Sequence, residues 1–364
     1  MDGAVGRGRG SDGGDRVVAV RIALLGSGFV ADFYMQGLRD VPGQEVVVSY
    51  SRSAERAEAF ARRWGIPHWT TQLQEAAAWP GADMVLIALP NDRHLEATRA
   101  AARASKHVVC TKPLGRSAAE AAEMLALVSQ AGILHGYAET EVFSPAVVRV
   151  RELIEAGGLG RVCTMRSREA HSGPHAPHFW DPAQSGGGAL MDMGCHMFEA
   201  FRYFLGKDDR PVECVAWGDL LVHKERTRAE DNAVAMVRFA SGALGVAEVS
   251  WSALGGLDLR NEVYGERGAA FTDVTRGTPV RAFTGAAGGH VLEKADADSG
   301  WVFPVPDEAR VYGYQAEMRH FVDCVASGTA PRETYADGLA VARILDACYR
   351  SMKSKRWELV EGGR

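Results

Sequence analysis

The chain has 364 residues, a formal net charge of −5 and 46% hydrophobic residues, the profile of a water-soluble globular protein long enough for two cores. No basic tract stands out, which argues against a nucleic-acid partner, and apolar runs such as 85–89 are far too short to span a bilayer. Six cysteines (Cys110, Cys163, Cys195, Cys214, Cys324 and Cys348) are scattered without a C-x-x-C pair, which fits reduced thiols in a cytoplasm and neither a disulfide framework nor a zinc site.

Residues 1–16 are rich in Gly, Arg and Asp and nearly free of large apolar side chains. They read as a disordered tail, not as a secretory signal. From 17 to 25 a β-branched apolar run ends at a glycine, as a strand buried on both faces would. A helix is expected over 30–39, a strand over 45–50 and a helix over 54–64, stopped by Gly65 and Pro67. A strand over 84–89, a helix over 92–104, a strand over 107–110 and a helix over 117–131 follow, with Ser117 and Glu120 spaced as a capping box. A short strand over 133–137 closes the series. This alternation predicts a Rossmann-type, doubly wound parallel sheet over 17–140.

The rhythm then changes. One helix over 145–156 precedes strands over 161–168, 212–221, 233–239 and 243–251, with Ser241-Gly242 as a hairpin turn. The pattern continues over 262–265 and 268–272, and two helices, 315–327 and 335–351, end the chain. Residues 141–364 thus read as an α+β domain for substrate binding and oligomerisation. Its open, mostly antiparallel sheet has one face on the core and one for a ligand or a second subunit.

The chemistry-bearing residues fall at the strand ends. Gly26-x-Gly28-x-x-Ala31 follows the first strand and opens the first helix, so Gly26, Gly28, Phe29, Val30 and Ala31 are expected to cradle a dinucleotide pyrophosphate. The second strand ends in Ser51 and Arg52 where an acid would hold NAD ribose hydroxyls; the choice between NAD and NADP stays open. Pro90, Asn91 and His94 follow the next strand, over the same crevice, although packing is the plainer reading for His94. Lys112 follows the strand at 107–110. Partly desolvated beside a positive nicotinamide ring, it is expected to have a lowered pKa and to accept or orient a substrate proton. Asp192 and His196 stand four apart, on one face of a helix. The imidazole can take an alcohol proton, and the carboxylate can hold hydroxyls or orient the imidazole. The preceding Gly186-Gly187-Gly188 would let a substrate approach the backbone. Glu169, His171, His175, His178 and Trp180 offer polar edges and an aromatic face, as a sugar pocket needs. A metal site built from these histidines is the weaker reading, and none is expected.

On these motifs the chain resembles the glucose-fructose oxidoreductase / inositol dehydrogenase / rhizopine catabolism family (Gfo/Idh/MocA), from about residue 20 to about 360. The family's glycine loop falls on Gly26, Gly28 and Ala31. Its Glu-Lys-Pro motif falls on Thr111-Lys112-Pro113, with Thr111 in place of the glutamate. Its Asp-x-Gly-x-His motif falls on Asp192, Gly194 and His196. Within the family, 110–116, 168–175 and 179–181 resemble the DgpA-like glycoside 3-dehydrogenases. That likeness implies oxidation of a glycoside C3 hydroxyl with a nicotinamide cofactor that can stay bound, and a downstream lyase acting on the keto-glycoside. The expectation is therefore a cytoplasmic, homo-oligomeric NAD(P)-dependent glycoside dehydrogenase. His196 is the preferred base, Lys112 a close second, and Asp192 holds an adjacent hydroxyl. The rivals are an inositol, free-sugar or nucleotide-sugar dehydrogenase and a non-catalytic cofactor-binding regulator.

Overall fold

The computed structural model describes residues 20–275, 277, 280, 282–284, 294, 295, 297, 299–305 and 307–362. The tail expected over 1–16, and the first three residues of the strand expected over 17–25, lie outside them.

The first unit runs β1 (Val20–Leu25), α1 (Phe29–Leu38), β2 (Gln44–Tyr50), α2 (Ala54–Trp64), β3 (His68–Thr70), α3 (Leu73–Ala77), β4 (Met84–Ile87), α4 (His94–Arg103), β5 (His107–Thr111), α5 (Ala118–Ala131) and β6 (His135–Ala138). Its six strands are parallel in the order β3-β2-β1-β4-β5-β6. The order reverses beside β1, so the crevice over the carboxyl ends of β1 and β4 is the natural ligand site. Ile22, Leu24, Leu25, Leu86 and Ile87 are fully buried, which is why these strands read as continuous apolar runs. The edge pair β3–α3 escaped the sequence reading because His68 and Trp69 are exposed and carry no apolar pattern. Half of the expected capping box forms: the Ser117 hydroxyl accepts the Glu120 N–H, while the Glu120 carboxylate turns to the Arg116 N–H and guanidinium.

The second unit contains α6 (Pro145–Glu155), β7 (Val162–Ala170), α7 (Pro182–Ser185), α8 (Cys195–Leu205), β8 (Pro211–Asp219), β9 (Asn232–Phe239), β10 (Leu244–Ser250), β11 (Asp258–Gly265), β12 (Ala269–Asp273), β13 (Ala282–Thr284), β14 (Gly300–Val302), α9 (Glu308–Val311), α10 (Tyr314–Ser327), α11 (Tyr335–Ser354) and β15 (Glu358–Leu359). Its seven-stranded sheet has the order β12-β11-β7-β10-β9-β8-β15. Every pairing in it is antiparallel except β7–β10. One face packs on α8, whose Phe198, Phe201 and Phe204 are buried; the other exposes Trp217, Val234, Tyr264 and Phe271. The last helices return to the first unit, α10 against α1 and α11 against α5. Among the described residues no helix is long and apolar enough to cross a membrane.

Candidate active site

One cleft of about 630 Å3 runs from the β1–α1 turn to the carboxyl end of β7. Its two glycines act differently. Gly26 has φ +133°, and a Cβ there would lie 2.1 Å from the Ala88 carbonyl oxygen; β1 can turn beside β4 only without a side chain. At Gly28 a Cβ would meet nothing within 4 Å, so that space is reserved from protein, as a close-approaching pyrophosphate requires. No side chain caps α1 at Gly28, which leaves its first N–H groups for an anion. Phe29 and Val30 also line the cleft, and Ala31 is buried behind them. Ser51 and Arg52 line its far end, where the Ser27 hydroxyl donates to the Ser51 hydroxyl at 2.9 Å. Pro90 and Asn91 border it, Asn91 anchored by its amide to the Ser185 carbonyl at 2.8 Å. The cradle fits a dinucleotide.

Lys112, Asp192 and His196 meet in the same cleft. Lys112 extends from the end of β5, and its Nζ donates to Asp192 Oδ1 at 3.0 Å and to the Asp192 carbonyl at 2.8 Å. Asp192 sits in a π-helical turn, Leu190–Gly194, that feeds α8, and its Oδ2 accepts from the Trp251 indole at 3.1 Å. The expected lowering of the Lys112 pKa is corrected: burial alone would lower it, but the Asp192 carboxylate, helped by Cys195 and Glu169, outweighs burial and holds it above its ordinary value. Lys112 is thus a proton donor in this pairing. Burial pushes Asp192 up, yet Lys112 and then Lys294 hold it well below the usual carboxylate range.

The orientation of His196 by Asp192 is also corrected. Among the described residues the two do not bond, because each has a stronger partner. His196 Nδ1 bonds the fully buried Glu139 carboxylate. Burial lowers the imidazole, Glu139 raises it, and the balance lies above the ordinary histidine value. Glu139, Cys195 and His196 group three ligand-type atoms within 4.8 Å, but the Glu139–His196 bond and the thiol's bond to the Asp192 carbonyl account for all three.

Glu169, His175 and His178 line the cleft. Burial pushes Glu169 up and His175 down, and carries His178 down to about 4, so both rings are neutral near pH 7. Three expected contacts stand behind the wall instead. His171 is fully buried, with Nδ1 accepting the Gly173 N–H at 3.0 Å and Nε2 lying 2.7 Å from Lys294 Nζ. Trp180 packs on Trp251 under the Arg226 guanidinium, and its neighbour Phe179 faces the cleft, 5.6 Å from Lys112 Nζ. His94 is fully buried and bonds the carbonyls of Leu89 and Pro113, bracing the loop that carries Lys112. The glycine run serves packing: a Cβ at Gly187 would strike the Tyr349 hydroxyl and one at Gly188 the Glu230 carbonyl, at 2.0 and 1.9 Å.

Glu139, Glu141, Trp251 and Lys294 are additions to the sequence reading, and Phe179 takes the place expected of Trp180. A signal existed for two of them. Glu139 and Glu141 directly follow β6, and loops at the carboxyl ends of parallel strands face the ligand crevice.

Two family models match. Residues 20–137 match an oxidoreductase family described as an NAD-binding Rossmann fold, and residues 147–271 match the GFO/IDH/MocA C-terminal domain. The myo-inositol 2-dehydrogenase of Thermotoga maritima is 29% identical over 343 residues, 93% of this chain and 97% of that protein. The crystal structure of GenD2 from gentamicin A biosynthesis in complex with NAD superposes with a TM-score of 0.90 at 30% identity, covering 99% of this chain and 100% of that one. A levoglucosan dehydrogenase in complex with NADH and levoglucosan superposes with a TM-score of 0.80 at 25% identity, covering 94% and 100%.

Proposed function

Because this chain belongs to the GFO/IDH/MocA oxidoreductase family and carries its NAD-binding Rossmann domain, we propose that it oxidises a secondary hydroxyl of a sugar moiety, the C3 hydroxyl of a C- or O-glycoside, to a ketone. The observation that carries this reading is the meeting of Lys112, Asp192 and His196 in the cleft that begins at the glycine cradle. His175, His178 and Phe179 add polar edges and an aromatic face suited to a sugar ring. The likeness to proteins named for levoglucosan and for gentamicin A biosynthesis adds weight to a sugar substrate.

The first turn of α1, with Gly26 and Gly28, would hold the cofactor pyrophosphate, and Ser51 and Arg52 its adenosine end. When bound, the nicotinamide accepts a hydride from the alcohol carbon. His196, with Nδ1 committed to Glu139, takes the alcohol proton at Nε2. Lys112, protonated, donates a hydrogen bond to the same oxygen and steadies its developing negative charge. Asp192 aims Lys112 and keeps lone pairs for a neighbouring hydroxyl. The free cysteines suit a cytoplasmic setting, and a second copy would cover the exposed face around Trp217 and Phe271. A lyase is the class of enzyme that would consume a keto-glycoside. A second reading, oxidation of a free inositol ring, is favoured by the likeness to the Thermotoga enzyme.

The test incubates the protein with NAD+ or NADP+ and with glucose, myo-inositol and O- and C-glucosides, followed by mass spectrometry. The expected product is a glucoside about two hydrogens lighter, with its ketone placed at C3 by NMR. A lighter inositol or free sugar alone overturns the glycoside assignment. Absence of any lighter product, with a keto-sugar acceptor also unreduced, overturns the dehydrogenase.

A further inference from the structure

Glu141 and Glu169 are the two acids of the cleft that the oxidation does not use. Glu141 follows β6 and Glu169 lies near the end of β7, so different elements bring them to the wall that also holds Lys112 and His196. They are 3% and 8% exposed. Glu141 Oε1 accepts from the Asn261 amide at 2.7 Å, and the Oε2 atom of each acid has no hydrogen-bond partner. The cations nearest them are bonded elsewhere: Lys112 to Asp192, His196 to Glu139, and Lys294 to the His171 ring.

A buried carboxylate without a paired cation is strongly disfavoured. Burial accordingly pushes both acids up, Glu141 to about 7. Glu169 and Glu139 raise Glu141 further, against the pull of His196 and Asn261. Asp192 raises Glu169, against His196, Lys112 and Lys294. Two acids at one wall, each disfavouring its own ionisation, make a place where an added positive charge is worth most. A hydroxyl can take one hydrogen bond from a neutral acid. An ammonium offers up to three donors together with the charge that both acids lack, and charge-assisted bonds are roughly twice as strong as neutral ones.

We propose that Glu141 and Glu169 form an ammonium-binding subsite, so that the sugar this chain oxidises carries a protonated amine, as in an amino sugar or aminocyclitol glycoside. The inference rests on the dehydrogenase reading above and narrows its substrate.

Full-length protein saturated with NADH, which prevents oxidation, is titrated in a calorimeter with methyl glucoside and with its amino-deoxy analogues at each ring position. Two buffers of different ionisation enthalpy report any proton exchange. At least one amine is expected to bind about tenfold or more tighter than the parent sugar, with release of a proton near pH 7 as Glu141 ionises. The preference should shrink by a similar factor in E141Q and in E169Q, and turnover of the amine with NAD+ should exceed that of the parent. If every amine binds no better than methyl glucoside while the glucoside is oxidised, the subsite falls and the dehydrogenase stands. If no sugar binds or is oxidised, both fall. If E141Q and E169Q weaken NAD+ binding and affect all sugars equally, the acids face the positive nicotinamide ring, and the subsite is again overturned.

Discussion

His196 owes its usefulness to a residue 57 positions away. With Nδ1 on Glu139, the ring is fixed in orientation, and the proposed reaction uses its Nε2. K112A and H196A should each lower kcat by about 10²-fold or more; near-normal steady-state turnover in both would remove them from the chemistry. The role of Glu139 has its own signature. Burial lowers the imidazole pKa and Glu139 raises it above the ordinary value. Oxidation needs the neutral ring, so the rate should climb as pH rises through that raised value. E139Q removes the raising charge and leaves the burial, so the climb should move to lower pH while kcat falls and the KM for NAD+ changes little. A pH–rate profile that does not move would show that the carboxylate only fills space. Lys112 was legible because it follows a readable strand, and Asp192 and His196 because they share a short motif behind a glycine run. The position of Glu139 after β6 was legible too, but its pairing with His196 is a contact that no local pattern encodes. Trp180 was misplaced for a related reason: composition locates an aromatic pair in the loop, but only packing on Trp251 decides that Phe179 faces the cleft.

At the scale of elements, the β1–α1 turn separates two uses of glycine that look identical in sequence. Gly26 is held at φ +133° against the Ala88 carbonyl, whereas a side chain at Gly28 would enter open space. G26A should therefore cost about 1–3 kcal/mol of stability. G28V should stay within about 0.5 kcal/mol of the parent, yet lose about tenfold or more in NADH affinity by occupying the pyrophosphate space. Urea unfolding without cofactor and fluorescence titration with NADH measure the two effects separately. A G28V protein that binds NADH normally would displace the cradle from this turn. The central strands of both sheets were readable, since β1, β4 and β5 are continuous apolar runs and β9 alternates along its length. The order of the second sheet was not. Its parallel β7–β10 pair joins segments about 80 residues apart, and nothing local announces that pairing. The short elements β3, α3 and β15 were missed because they are too brief to show a period.

At the scale of the molecule, α10 and α11 return from the second unit to pack on α1 and α5 of the first. Val20, Leu24, Phe201, Phe321 and Ile344 belong to one continuous core, so the cleft is walled by a single packed body. Glu317 of α10 lies in that return. It is fully buried and accepts the hydroxyl of Thr140, next to the site's Glu139. Burial first, and then the nearby Glu139 charge, push its carboxyl well above the ordinary range, against Thr140 and Arg332. The folded chain therefore keeps a proton on Glu317 that the unfolded chain releases once pH passes about 4.5. Rising pH then favours the unfolded state through this group, until the folded-state value is passed. Glutamine keeps the shape and cannot ionise. E317Q should gain stability relative to the parent as pH rises above about 4.5 and until the raised folded-state value is passed, seen as a growing difference between their urea midpoints. A difference that stays constant across that range would mean that Glu317 is ionised in the folded protein, and that the helix returning to the site is held by charge and not by a buried neutral acid.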